Sequence, residues 1–343
     1  MRFFNFFTQE LAIDLGTANT LIIQDDQIVV DEPSIVAIDR KSGNILAVGQ
    51  KAMLMHEKTH ENIKTIRPLK DGVIADFQAA ESMIEGFIRM TGARRRFFTH
   101  LKMVICIPSG ITEVEKRAVF ESADHVDSKE TYLIHEPMAA ALGIGLDVEE
   151  PVGNMIIDIG GGTTEIAVIA LSGIVCDQSI RIAGDELTMD IVNYMKRQHN
   201  ILIGERTAEQ IKIHVGSALP ELDNPPDDFA VNGRDLMTGI PKQITVGYSE
   251  ISHALDKSIS KIEDAILKAL ESTPPELAAD IYKTGLYLTG GGALLRVLDK
   301  RISAKTKLPV SVANDPLRAV VRGTGIALKN THKFTFLIDR KRV

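Results

Sequence analysis

The chain has 343 residues, 44% of them hydrophobic and 25% charged, and a formal net charge of −7. That length exceeds one ordinary hydrophobic core and points to two domains with a cleft between them, and the composition excludes a disordered or fibrous protein. The acidic balance argues against nonspecific nucleic-acid binding, which needs a broad basic surface, and no zinc-finger or helix-turn-helix spacing stands out.

The first seven residues, MRFFNFF, hold Phe3, Phe4, Phe6 and Phe7. A short helix over 1–7 would gather them on one face, with Arg2 near anionic headgroups, and so lie on a membrane; a strand added to the first domain is the alternative. No apolar run approaches the roughly 20 residues of a spanning helix, and the terminus lacks a signal peptide's apolar region and cleavage site. A cytoplasmic protein is therefore expected. Short β-type runs follow: LAIDLG, TLIIQ, SIVAID, KMVICIP, NMIIDIG, EIAVIAL and GLYLTG. They alternate with helical patterns at 77–91, 112–124, 184–199, 249–271 and 316–329, which predicts α/β layers with strands buried under helices. Phe97 and Phe98 follow three arginines in ARRRFFTHL (93–101) and form either a second membrane contact or a buried hairpin. Cys106 and Cys176 sit inside apolar runs and read as reduced core thiols. The stretch 219–239, rich in Pro, Asp, Asn and Gly, reads as turns and short strands of a small subdomain. The last residues, 331–343, read as an appended strand or a docked tail.

One grammar occurs twice. IDLGTANTLII (13–23) and IDIGGGTTEIAVI (157–169) both run strand, Asp, Gly-containing turn, Thr, strand, so the chain reads as two related halves. Glycine lets backbone N–H groups approach an anion, the Thr and Asn side chains add donors, and an Asp at a strand end can hold a hydrated divalent cation. If the halves face each other, Asp14 and Asp158 bracket a Mg²⁺ through water. The turns Gly16, Thr17, Ala18, Asn19 and Gly160, Gly161, Gly162, Thr163 then clamp a phosphate chain. A third glycine cluster, Gly290, Gly291, Gly292 and Ala293, is expected to join a strand to a helix start, where N–H groups suit phosphate and bare backbone suits a flat base. No P-loop sequence occurs anywhere.

In this order and spacing, DLGTANT, HEPMAAALGIG, DIGGGTTE, AGDEL, GERTAEQIK and TGGGALL resemble the actin, sugar kinase and heat-shock chaperone ATPase superfamily, and within it the MreB-type bacterial actins of rod-shaped cells. The resemblance covers about residues 8–330. It implies an actin-like α/β fold of two related domains, each a mixed sheet flanked by helices, in four subdomains with ATP and Mg²⁺ in the central cleft. The implied first domain is 8–147 with 315–330 returning to it and a small subdomain at about 32–75; the second is 148–314 with a small subdomain at about 184–243. Glu136 would orient the attacking water and Thr163 would share that task, although Glu136, just before Pro137, could also be a helix-capping carboxylate. Glu209 and Lys212, three apart on one helix face, resemble the pair that holds ribose and adenine, with a surface ion pair as the alternative. Family members mostly carry an acid where His135 stands. The resemblance further implies homopolymeric paired protofilaments on the inner face of the cytoplasmic membrane, organising wall synthesis with a RodZ-type adaptor, MreC and MreD. A chaperone ATPase would need a substrate-binding domain after the core, and a small-molecule kinase would need a catalytic base and substrate pocket.

Overall fold

The computed structural model describes residues 8–92, 100–126 and 128–334, and the backbone of 338–340. The Phe-rich segment 1–7 and the run 93–99, with Phe97 and Phe98, lie outside the described residues.

Two sheets carry the architecture. In spatial order the first runs 27–33, 19–24, 8–15, 100–107, 128–135 and 338–340, and the second runs 173–180, 164–170, 154–159, 286–289 and 310–312. In each, three antiparallel strands form a meander, and the first of these pairs in parallel with a strand reached by a crossover, which pairs in parallel with another. The sequence repeat is thus a repeat of topology. Strands Asn154–Ile159 and Thr164–Ala170 are buried along their whole length. Their near-continuous apolar runs are what a strand covered on both faces requires.

Each half carries a small insertion. In the first, strands Val36–Asp39, Ile45–Val48 and Ile63–Ile66 enclose a core of Ile35, Ala37 and Ala52. In the second, strands Ile201–Leu202, Phe229–Asp235 and Pro241–Val246 pack with helices Gly184–Gln198, Glu205–Val215 and Tyr248–Ser272. The long helix Tyr248–Ser272 buries Ile251, Leu255, Ile259, Ile262 and Ile266, one stripe at helical spacing. The helix expected over 112–124 spans Glu113–His125, because Thr112 is its N-cap and forms a capping box with Glu115.

The halves meet on two crossing helices, Glu136–Gly143 and Ala319–Lys329. Their shared core takes Ala12, Val104 and Ile134 from the first sheet and Ile156 and Ile169 from the second. The crossing is at backbone distance: a Cβ on Gly143 would lie 1.8 Å from the Ala319 carbonyl oxygen, and one on Gly323 1.7 Å from that of Ala139. After the second helix, 338–340 pair antiparallel with Tyr132–Ile134, so part of the C-terminal segment is an appended edge strand.

Candidate functional site

The two glycine turns face each other at the bottom of the cleft. A Cβ on Gly161 would lie 2.6 Å from Ala18 Cβ, and one on Gly162 would lie 2.6 Å from Thr17 Oγ1. Only bare backbone fits where the two turns approach each other. Among the described residues, the N–H groups of Thr17, Ala18, Gly161 and Gly162 meet no acceptor in the chain. Free amides in glycine-containing turns are able to take an anion. Asn19 is exposed at the end of the first turn.

The third glycine cluster packs on the second turn. Gly290 has φ +78°, and a side chain there would lie 2.4 Å from the Ile159 carbonyl oxygen. The expected helix start is instead a single 3₁₀ turn, Gly291–Leu294, with Gly290 and Gly292 set directly against Ile159. Ala293 is buried beneath it. Glu209 and Lys212 lie on Glu205–Val215, as a pair at 2.8 Å. Lys212 Nζ also donates to the Gly184 carbonyl at 2.7 Å and to Thr188 Oγ1 at 2.9 Å. Gly184 N–H in turn donates to the Gly160 carbonyl, so this pair is anchored beside the second turn rather than on a remote surface.

Four carboxyls gather beneath the turns, and among the described residues no Lys or Arg pairs with any of them. Asp14 ends strand 8–15 and rises to about 7, mainly by desolvation deep in the cleft and then by the Asp158 charge, although its side chain keeps some solvent contact. Asp158 rises to about 6 through desolvation, opposed by the 2.6 Å hydrogen bond from Thr289 Oγ1 and reinforced by Glu165. Glu136 is pushed well above the carboxylate range by desolvation, then by Glu165, Asp158 and Asp14. Among the described residues its carboxylate makes no hydrogen bond and caps no helix. The fourth, Glu165, was not assigned a role from the sequence. Thr163 is buried, with its methyl group against Gly72.

Anionic groups concentrated without protein cations suit a bound cation. Among the described residues no three His, Cys, Asp or Glu side chains come together to hold a metal by themselves. The arrangement therefore fits Mg²⁺ held through water and phosphate oxygens by Asp14 and Asp158, the mode in which this ion binds phosphate esters. Charged pairs close the rim above: Arg67 lies 3.4 Å from Asp185 and 3.7 Å from Glu205, joining the two insertions.

A profile of the family described as MreB/Mbl protein matches residues 8–335. The chain belongs to this family. It is 47% identical over 328 residues to the cell shape-determining protein Mbl of Bacillus subtilis (strain 168), covering 95% of this chain and 98% of that one. It is equally 47% identical over 333 residues to the cell shape-determining protein MreB of Escherichia coli (strain K12), covering 96% and 95%. Among solved structures, MreB5 of Spiroplasma citri bound to ADP superposes with a TM-score of 0.90 at 38% identity, covering 96% of this chain and 98% of that one. A MamK double helical filament superposes with a TM-score of 0.77 at 20% identity, covering 95% and 99%, and shares the fold. The fold is actin-like, as the MreB-type motifs implied.

The buried carboxyls carry a stability consequence. Groups whose folded pKa lies above the unfolded value leave the native state holding more protons, so stability falls as pH rises, here from about 4 to about 7. Asp14→Asn is therefore expected to raise the melting temperature of the nucleotide-free protein by several degrees at pH 8, with the gain shrinking toward pH 5, while weakening Mg²⁺-dependent nucleotide binding. Paired thermal melts at the two pH values, with calorimetry in Mg²⁺, check both halves of this expectation. A pH-independent difference would place the charge strain elsewhere.

Proposed function

We propose that this chain is an ATP-binding bacterial actin that assembles into filaments on the inner face of the cytoplasmic membrane, hydrolyses ATP slowly, organises wall synthesis and maintains rod shape. The observation that carries the reading is the pair of facing glycine turns, each following a strand-end aspartate, at the junction of two topologically equivalent halves. The turns Gly16–Asn19 and Gly160–Thr163 hold the phosphate chain from both sides, through the amides of Thr17, Ala18, Gly161 and Gly162 that meet no acceptor among the described residues. Glu209 and Lys212 lie on the nucleoside side of the second turn, and Gly290–Ala293 offers bare backbone to the base. Glu136 and Thr163 orient the attacking water, which suits phosphoryl transfer because positioning and charge compensation do most of the work. Mg²⁺, when bound, neutralises the developing phosphate charge. The nucleotide-bound Spiroplasma citri MreB5 structures, with ADP and with AMPPNP, support the nucleotide assignment. The shape-determining names of the relatives support the cellular role.

Self-assembly makes a weak lipid anchor effective. Burying one Phe side chain contributes roughly 1.5 to 3 kcal/mol at best, so a single tail holds poorly, but subunits joined in a row present many tails at high effective concentration. Among the described residues no helix is long and apolar enough to cross a membrane. Deleting residues 2–7 is expected to abolish pelleting with anionic liposomes while sparing ATP-dependent polymers in solution. Unchanged lipid binding by a truncated protein that melts normally would leave Phe97 and Phe98 as the lipid contact. A RodZ-type adaptor, MreC and MreD are the proposed membrane-side partners.

A further inference from the structure

Glu136 and Thr163 reach the cleft from different halves. Glu136 starts the helix after strand 128–135, and Thr163 closes the turn between strands 154–159 and 164–170. Their spacing therefore depends on how the halves meet at this depth. Glu165 is the side chain that bridges them there. It is 0% exposed and stands opposite Asp158 in the hairpin register. One carboxylate oxygen accepts the Ser109 N–H at 3.1 Å, from the first half, and the other accepts the Ser179 O–H at 2.7 Å, from the neighbouring strand of the second.

From Ser109 the connection reaches Glu136 in two steps. The carbonyl of the preceding Pro108 lies 3.3 Å from His135 Nδ1, which donates to it, and His135 is the N-cap residue of the helix that Glu136 opens. Toward the second half, Pro108 Cγ and Thr163 Cγ2 both lie 2.9 Å from where a side chain on Gly72 would begin. Gly110, in the same loop, lies against the Ser179 side chain, with the nearest approach of an added Cβ at 3.1 Å. Ser109 Oγ is buried without a partner, so this residue's hydrogen bond across the halves runs through its amide alone. A buried carboxylate fixed on both oxygens cannot relax toward water, and losing it would strand two donors.

We propose that Glu165 is a positioning residue for ATP hydrolysis, tying the 108–110 loop of the first half to the second half and so holding Glu136 in register with Thr163. The proposal rests on the ATPase reading above. Glu165 acts through Ser109, Pro108 and His135. Its role is a geometric tie, which glutamine can reproduce: the side-chain carbonyl accepts from Ser109 N–H and the amide donates to Ser179 Oγ.

The test is phosphate release and calorimetric ATP affinity in the full chain for wild type, Glu165→Ala, Glu165→Gln and Ser179→Ala. Glu165→Ala is expected to lower kcat about tenfold or more with affinity within about threefold, the signature of lost positioning rather than lost binding. Ser179→Ala, which removes one tie, should fall between this variant and wild type, and Glu165→Gln should stay within about threefold of wild type on the high-pH plateau, where the Glu165 charge no longer decides how far Glu136 is ionised. Wild-type turnover in Glu165→Ala overturns the proposal, as does an equal loss in Glu165→Gln, which would make charge the essential property. If Glu165→Ala does not fold, Ser179→Ala and Glu165→Gln decide, and wild-type turnover in Ser179→Ala counts against the tie. An inactive wild type removes the ATPase reading and this proposal together, whereas an active wild type with an active Glu165→Ala removes the proposal alone.

Discussion

Replacing Gly323 with alanine is expected to lower the melting temperature by about 2–4 °C, although alanine is the better helix former by about 1 kcal/mol. The added Cβ would sit 1.7 Å from the Ala139 carbonyl oxygen, a backbone atom that cannot swing away. The helices Glu136–Gly143 and Ala319–Lys329 would have to separate, and the core they share with both sheets would open. Overpacking of this kind typically costs about 1–3 kcal/mol, and here it also loosens the element that begins with Glu136. Gly325→Ala is the matched control. Its Cβ would meet Ile23 at 3.5 Å, an ordinary contact, so that variant should melt at or slightly above wild type. Thermal melts of the two variants check the account, and a Gly323→Ala protein as stable as Gly325→Ala would contradict it.

Glu136→Ala is expected to slow hydrolysis at least tenfold, about 1.4 kcal/mol of barrier, while nucleotide affinity changes little. The carboxylate makes no hydrogen bond among the described residues, so its removal strands no partner and the loss falls on the water it orients. Its raised pKa adds a sign: the ionised fraction grows with pH, so wild-type hydrolysis should climb as pH rises and the alanine variant should lose that slope. Single-turnover phosphate release across pH measures both. Wild-type hydrolysis with bound ATP would move the catalytic role to another residue.

Much of this architecture is legible in the sequence. The helical patterns at 77–91, 112–124 and 249–271 fall on the helices Phe77–Met90, Glu113–His125 and Tyr248–Ser272, because each buries one stripe. The two Asp-Gly hairpins were legible because they are local, each contained within a dozen or so residues. What could not be read depended on distant partners. Gly143 and Gly323 are ordinary helix glycines until the fold sets each against the other helix's backbone. Glu165 was visible inside DIGGGTTE, but its meaning comes from Ser109, 56 positions away, and Ser179, 14 away. Gly290–Gly292 read as a helix start but form a 3₁₀ turn, and their close approach to Ile159 has no sequence signature.

The central claim is that nucleotide in this cleft drives assembly of one chain with its own copies. Ultracentrifugal pelleting of the full chain with ATP and Mg²⁺, paired with negative-stain electron microscopy, tests it most directly. The account predicts filaments in the pellet above a threshold protein concentration, reduced when Asp158→Asn weakens the cation's hold. A protein that binds ATP yet remains in the supernatant at every concentration, with and without lipid, would contradict it and favour a small-molecule kinase on the same fold.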